Sequence, residues 1–217
     1  MRAIILLSGG LDSTVALSIA KSQGRECFAL SYDYGQRHRI ELEYAKQVAL
    51  HYNIPQKVIS LDPALFTTST LMTAEPVPTN RTLEEMARGG IPSTYVPARN
   101  TLFLAYATAF AEVCNAQEIY VGMNADDQVG YPDCRPAYIN AFQGLLNVAT
   151  KQSTCGAAPQ LIAPLVNMRK KEIVNEGIRL NAPLTLTWSC YAPTTSAATC
   201  EQCDACMLRN TAFSANS

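Results

Sequence analysis

Apolar residues along this chain come in short runs separated by amphipathic stretches. Residues 2–7 are almost all apolar, the pattern of a strand buried on both faces. Gly9 and Gly10 break the run. Residues 13–22 then carry helix-favouring sequence, with Leu11, Val15 and Ile19 on a common face and Gly24 as a stop. Residues 27–34 form a second apolar run. Residues 39–51 read as a helix through Ile40, Tyr44 and Val48, and residues 57–61 as a third strand. The order strand–helix–strand–helix–strand predicts a parallel sheet with helices on its faces.

The stretch 63–100 breaks this rhythm. It holds Thr67-Thr68-Ser69-Thr70, prolines 76, 78, 92 and 97, and the Gly89-Gly90 pair, with a short helix expected at 83–88. A connection this long inside a compact domain is usually functional or mobile. Residues 101–114 follow as a helix so poor in polar side chains that it is expected to be buried against the sheet. Residues 118–122 are the fourth strand and 126–136 a polar, turn-rich segment. Residues 138–150 are a helix, 161–163 the fifth strand, and 169–180 a helix ended near Asn181 and Pro183. After Trp188 the sequence turns small, polar and cysteine-rich.

Composition narrows the function classes. At about 150 residues per domain, 217 residues make one domain with an appendage. The expected division is 1–186 for an α/β domain and 187–217 for a cysteine-bearing tail packed on it. Lys plus Arg is 17 and Asp plus Glu 18, which excludes a strongly basic nucleic-acid coat and an acidic disordered tail. Neither a nucleic-acid partner nor a membrane partner is expected. No apolar run approaches the roughly 18 residues of a membrane span. Residues 3–7 are too short for a signal-peptide core, so a cytoplasmic location is expected. Charged residues are only 16% of the chain, which leaves neutral surface that an oligomer interface would use.

Ser8-Gly9-Gly10-Leu11-Asp12-Ser13 lies between the first strand and the first helix. Two glycines let backbone approach a ligand, Asp12 or Ser13 can cap the helix, and the amides of a helix start form an anion site. Neither the GKS or GKT of a Walker loop nor GxGxxG is present. The second motif is Cys190, Cys200, Cys203 and Cys206, spaced C-x9-C-x2-C-x2-C. Four thiolates suit tetrahedral zinc, with an iron–sulfur cluster as the rival, and a filled set of four gives a structural role. A metal would also organise a tail with few apolar residues of its own. Cys27 and Cys114 read as small buried hydrophobes, and Cys155 as a loop residue without a partner.

The hexapeptide matches the SGGxDS signature of the PP-loop ATP pyrophosphatases. Further segments resemble the 7-cyano-7-deazaguanine synthase family: Tyr34-Gly35-Gln36-Arg37-His38, Tyr95-Val96-Pro97-Ala98-Arg99-Asn100, Gly130-Tyr131-Pro132-Asp133-Cys134-Arg135-Pro136, Trp188-Ser189-Cys190-Tyr191 and the four cysteines. Gln128 and Val129 depart from it, standing where the family usually has an aromatic residue and a serine. The resemblance implies a Rossmann-like, doubly wound, mostly parallel sheet. It implies an ATP-dependent ligase that turns 7-carboxy-7-deazaguanine and ammonia into 7-cyano-7-deazaguanine, on the route to queuosine. It also implies one structural Zn²⁺ per chain, Mg²⁺ with ATP, and a homodimer. Carried onto this sequence, Ser8, Gly9, Gly10, Leu11, Asp12, Ser13 and Lys170 would bind the nucleotide. Asp12, Arg37, His38, Arg99, Asp133 and Arg135 would serve catalysis. Asp12 is expected to orient Mg²⁺ or cap amides, and Arg37 to meet phosphate or the substrate carboxylate. His38 would move a proton, and Asp133 and Arg135 would meet the guanine-like edge and the carboxylate. Asp126 and Asp127 have no assigned role, Asn100 is a candidate helix cap, and Tyr131 a candidate stacking partner.

Overall fold

The computed structural model describes residues 1–88, 90–194 and 198–214; Gly89, and residues 195–197 and 215–217 of the expected tail, lie outside these. Five parallel strands make one sheet: β1 (Arg2–Leu6), β2 (Glu26–Asp33), β3 (Gln56–Ser60), β4 (Glu118–Tyr120) and β5 (Gln160–Ile162), in the order β3-β2-β1-β4-β5. Ile4 of β1 stands opposite Phe28 on one side and Ile119 on the other. Adjacent parallel strands need crossovers, and helices supply them. Among the described residues the crossovers hold α1 (Leu11–Ser22), α2 (Glu41–His51), α3 (Leu83–Arg88), α4 (Arg99–Cys114), α5 (Asp127–Gly130) and α6 (Pro136–Ala149), and α7 (Lys170–Arg179) and α8 (Asp204–Ser214) follow β5.

Side chains alternate across each strand, so the sheet serves two layers. Ile4, Leu30, Ile119 and Leu161 face a layer with Leu104 and Ala107 of α4 and Phe142 and Leu146 of α6. Ala3, Ile5, Ala29 and Tyr120 face the opposite layer, against Leu17 of α1 and Ala45 and Val48 of α2. This is the doubly wound arrangement the strand order predicts. Strand order reverses beside β1, and a crevice opens beyond the carboxyl ends of the strands at such a point. Helix α7 crosses α1 closely at Gly177, where an added Cβ would lie 2.8 Å from Leu184 Cδ2 and 3.1 Å from Val15 Cγ2.

Two features differ from the sequence reading. Helix α4 begins at Arg99, two residues early; it packs on the sheet as expected, through Leu104, Ala107 and Ala111, while its other face is open, with Tyr106 43% and Val113 82% exposed. Its neutral composition marks an apolar outer face, not a central position. The expected fourth strand, 118–122, ends as a strand at Tyr120, though Val121 N still donates to Ile162 O at 2.9 Å.

The long connection is pinned to the cysteine-rich tail. Thr79 forms an antiparallel bridge with Cys203, Asn80 N donates to Gln202 O at 2.8 Å, and Arg81 makes a bidentate ion pair with Asp204. The tail itself joins the main core, since Trp188, Cys190, Cys203 and Cys206 pack in the same cluster as Ile4 and Leu30.

Candidate active site

A cavity of about 690 Å³ lies beyond the carboxyl ends of β1, β2 and β4, within the usual size range for small-molecule sites. The β1–α1 loop forms its floor. Ser13 Oγ donates to Gly10 O at 3.1 Å and lies 3.1 Å from Ser8 Oγ, while Gly10 N donates to Ser8 Oγ at 3.3 Å. The two serines therefore hold the loop's own curve. No side chain caps α1 at Gly10, contrary to the expected capping by Asp12 or Ser13, so the first-turn amides stay available to an anion. Ser8, Gly10, Leu11, Asp12 and Ser13 all line the cavity; Gly9 does not. Gly9 has φ +83°, and its missing side chain is filled by α2: an added Cβ would overlap Glu41 O and sit 2.6 Å from Ala45 N. Gly9 is a packing requirement of the fold.

Asp12 pairs with Lys170, at the first turn of α7, and Lys170 N donates to Asp126 Oδ2 at 2.9 Å. Burial pushes the Lys170 ammonium down, but Asp12, Asp127 and Asp126 together hold it up at about 12, so it stays charged. Burial pushes Asp127 up to about 6, with Asp12 and Asp126 adding to the rise and Lys170 and Arg99 opposing it. Asp12 Oδ1 is buried and has no hydrogen-bond partner. All three carboxylates line the cavity, and Asp126 also anchors the start of α7.

The other end of the cavity is aromatic. Arg99 Nη1 donates to Tyr34 OH at 3.0 Å, and the guanidinium lies 5.7 Å from the Tyr34 ring and 5.8 Å from that of Phe103. Among the ion pairs of the described residues Arg99 has no carboxylate partner, leaving a half-buried cation held by neutral groups. Tyr131 and Tyr191 line the same wall. Tyr131 OH lies 2.9 Å from Thr94 Oγ1, which holds the phenol in place. His38 is 3% exposed and lines the cavity; its Nε2 is 3.4 Å from Glu41 Oε2, its ring 5.5 Å from that of Tyr191, and its Nδ1 has no partner.

Besides Gly9, three of the residues expected at the site stand behind or away from it. Arg37 is exposed and turns to the long connection, where Nη1 donates to Glu75 O at 2.8 Å and Thr70 O at 3.3 Å. Asp133 is buried and takes the amide of Asn100 at 3.3 Å, so the carboxylate secures the start of α4 in place of the expected Asn100 cap. Arg135 is exposed, with Nε donating to Gln128 O at 3.0 Å. Cys134 does reach the wall, but burial, with Asp127 and Asp133 nearby, pushes its thiol far above the ordinary range. A protonated thiol is no nucleophile. Tyr34, Glu41, Tyr191, Arg81 and Arg209 line the cavity without having been expected there; Tyr34 and Tyr191 lay inside segments already singled out. At the departures, Val129 lines the cavity and Gln128 Nε2 donates to Val166 O.

The four cysteines converge as their spacing predicts. Cys190, Cys200, Cys203 and Cys206 bring their sulfurs within 4.8 Å of one another, with Cys200 and Cys206 at 3.9 Å. A tetrahedron with metal–sulfur bonds of about 2.3 Å needs sulfurs about 3.8 Å apart, so one metal ion fits this donor set. Iron–sulfur cubes place each thiolate on a different iron and spread them more widely. Cys190 precedes Tyr191 of the cavity wall, and Cys203 bridges the long connection. The cysteine cluster thus joins two walls of the site.

Comparison with known proteins gives one consistent result. The model of the family described as "Queuosine biosynthesis protein QueC" matches residues 2–217. The chain is 48% identical over 215 residues to a 7-cyano-7-deazaguanine synthase of Trichodesmium erythraeum, covering 98% of this chain and 96% of that one. It is 49% identical over 213 residues to the corresponding enzyme of Saccharophagus degradans, covering 98% and 92%. Among solved structures it resembles the U34-tRNA thiolase NcsA of Methanococcus maripaludis, with a TM-score of 0.52, 15% identity, and coverage of 99% of this chain and 65% of that one. At that identity the likeness concerns the fold alone.

Proposed function

The chain belongs to the family of the queuosine biosynthesis protein QueC, the 7-cyano-7-deazaguanine synthases, and from that premise we propose how its cavity carries out the reaction. The protein is an ATP-dependent ligase that forms carbon–nitrogen bonds. Its substrates are 7-carboxy-7-deazaguanine, ATP and ammonia. A carboxylate is a poor electrophile because its oxygen leaves badly. One carboxylate oxygen attacks the α-phosphorus of ATP and pyrophosphate departs, leaving an acyl-adenylate. Ammonia attacks the acyl carbon, and AMP leaves with that oxygen to give the amide. The amide oxygen is adenylated by a second ATP, and loss of AMP and two protons leaves the nitrile.

The protein's share in such steps is positioning and charge neutralisation. The uncapped start of α1, with Ser8, Gly10 and Ser13, and the charged Lys170 receive the pyrophosphate end. Asp12, with its unpartnered buried oxygen, fits a cation and would hold the Mg²⁺ that accompanies ATP, which supplies further neutralisation at the phosphates. Arg99 receives the substrate carboxylate, and Tyr131 and Tyr191 flank the deazapurine. His38, braced by Glu41, takes a proton as ammonia adds. Asp133 and Arg135 act from behind, by holding the segments that carry Arg99 and Tyr131, and Arg37 holds the long connection at Thr70 and Glu75. The observation that carries this reading is the presence, in one cavity, of an uncapped helix start beside Lys170 and a guanidinium lacking an anion.

The same reading gives the cysteines one structural Zn²⁺, and treats residues 187–217 as an appendage to the 1–186 domain. The protein acts in the cytoplasm as a homodimer. Helix α6 has no charged residue, and its Leu145 and Val148 are exposed, as are Tyr106 and Val113 of α4; a second copy covers this neutral face. Incubation of the protein with Mg–ATP, ammonium and 7-carboxy-7-deazaguanine, omitting each in turn, tests the assignment by mass spectrometry. Nitrile formed only in the complete mixture is expected. Its absence with folded, zinc-loaded protein would overturn the substrate.

A further inference from the structure

Asn124 does not line the cavity and is completely buried, yet it meets every part of the acidic cluster. It lies in the segment that leaves β4, two and three residues before Asp126 and Asp127. Its Oδ1 accepts the backbone amides of Asp126 at 3.0 Å and Asp127 at 3.1 Å. Its Nδ2 donates to Asp127 Oδ2 at 2.6 Å and to Asp12 Oδ2 at 3.3 Å. A primary amide has two donor hydrogens and two acceptor lone pairs, and here all four are used within the protein. Asn124 has nothing left to give a ligand.

Asp12 and Asp127 are 115 positions apart in sequence and reach the site from different crossovers. Two carboxylates side by side repel, and burial adds to the cost. Lys170 relieves Asp12 directly through their ion pair. Asp127 has no such ion pair among those of the described residues; its strong donor is the Asn124 amide. The same nitrogen reaches both acids, so one side chain sets their separation. Its other end fixes the first turn of α5, which carries Asp127. Gly122 brings this segment close: a Cβ there would lie 2.8 Å from Ser13 N and 3.0 Å from Asp12 C. The end of β4 is thus packed on the nucleotide loop itself.

We propose that Asn124 is a positioning residue for the phosphate end of the reaction: it locks Asp12 and Asp127 into one rigid pair and ties that pair to the β1–α1 loop. This deepens the proposed function and rests on it for what the pair acts upon. The locking itself is a property of the chain. Buried partners of this kind, lying behind the groups that meet ligand, typically matter about 10- to 100-fold when removed.

The test uses Asn124→Ala, Asn124→Asp and the exchange pair Asn124→Asp with Asp127→Asn. Melting temperature, binding of a non-hydrolysable Mg–ATP analogue by calorimetry, and steady-state kinetics are read for each. Asn124→Ala is expected to bind the analogue at least about 10-fold more weakly and to lose about 10- to 100-fold in kcat, with KM for 7-carboxy-7-deazaguanine within about 2-fold of wild type. Should Asn124→Ala fail to fold, Asn124→Asp answers the same question, because its retained oxygen still accepts the two backbone amides. The exchange pair rebuilds the 124–127 hydrogen bond with donor and acceptor reversed. It is expected to regain melting temperature without regaining kcat, because the carboxylate then sits behind the wall. Recovery of both together would mean a purely structural role and overturn the proposal, as would analogue affinity and kcat within about 2-fold of wild type in the single variants. A wild-type protein that binds the analogue but makes no nitrile would refute the proposed function, and the analogue binding of the variants would still decide the role of Asn124.

Discussion

Gly9 and Gly10 are neighbours in the β1–α1 loop, and replacing each by alanine separates packing from ligand contact. At Gly9 the backbone has φ +83°, and the added Cβ would overlap Glu41 O and lie 2.6 Å from Ala45 N. Both obstacles are backbone of α2, which cannot swing aside as a flexible side chain does. A left-handed residue with a side chain costs about 1–2 kcal/mol, and overpacking against fixed atoms about 1–3 kcal/mol. The sum, about 2–5 kcal/mol, lowers the melting temperature by about 4–20 °C for a chain of this length. At Gly10, φ is −81° and the added Cβ meets Ser8 Oγ at 3.3 Å and Trp188 O at 3.5 Å. The cost there is about 1 kcal/mol, the ordinary penalty of alanine at an N-cap, or about 2–4 °C. Gly10 faces the cavity, so Gly10→Ala should weaken Mg–ATP binding well beyond its effect on stability. Thermal unfolding at fixed zinc, with calorimetry for the nucleotide, reads both. Equal melting temperatures for the two variants would refute the assignment of Gly9 to packing and return it to the ligand.

Other substitutions probe the remaining parts. Arg99→Ala should raise KM for 7-carboxy-7-deazaguanine by about 10- to 100-fold, the worth of one charge-assisted hydrogen bond of about 1.5–3 kcal/mol, while Mg–ATP binding changes little; steady-state kinetics with each substrate varied reads the split. Asp12→Ala should fold, since Asp127 and Asp126 still face the Lys170 ammonium, yet lose activity; circular dichroism and the nitrile assay check both. Cys203→Ser should lower metal content to well below one per chain by elemental analysis. Because Cys203 also bridges Thr79, it should expose the long connection to proteolysis near residues 79–88, and fully metallated, protease-resistant protein would contradict the bracing role.

Much of the fold is legible along the chain because strands buried on both faces read as apolar runs, and β1 and β2 fall within a residue or so of where those runs lie; the edge strand β3, with Val58 exposed, is legible from its place in the strand–helix alternation. Helix α4 shows the limit. Neutral composition fits both a helix enclosed by protein and one with an open apolar outer face, and only the exposure of Tyr106 and Val113 distinguishes them. The cysteine cluster was readable because a metal needs four ligands at close spacing, and three of these lie within seven residues. Arg37 and His38 show what a motif leaves open: adjacent residues in a loop point in different directions, one to the long connection and one to the cavity. Asp133 likewise was visible as a polar group near the site, but its service to α4 depends on a contact with Asn100. Asn124 gave only a faint signal, its place just after a strand. Its reach to Asp12 is made by the strand order, which no local pattern contains.

The central claim is that oxygen leaves the substrate as part of AMP, twice. It is tested most directly with 7-carboxy-7-deazaguanine carrying ¹⁸O in both carboxylate positions, turned over with Mg–ATP and ammonium. Mass spectrometry should find two AMP per nitrile, each bearing one ¹⁸O, and unlabelled pyrophosphate. Label in phosphate or pyrophosphate, or release of ADP in place of AMP, would contradict attack at the α-phosphorus and the assignment of the β1–α1 loop and Lys170 to the departing pyrophosphate.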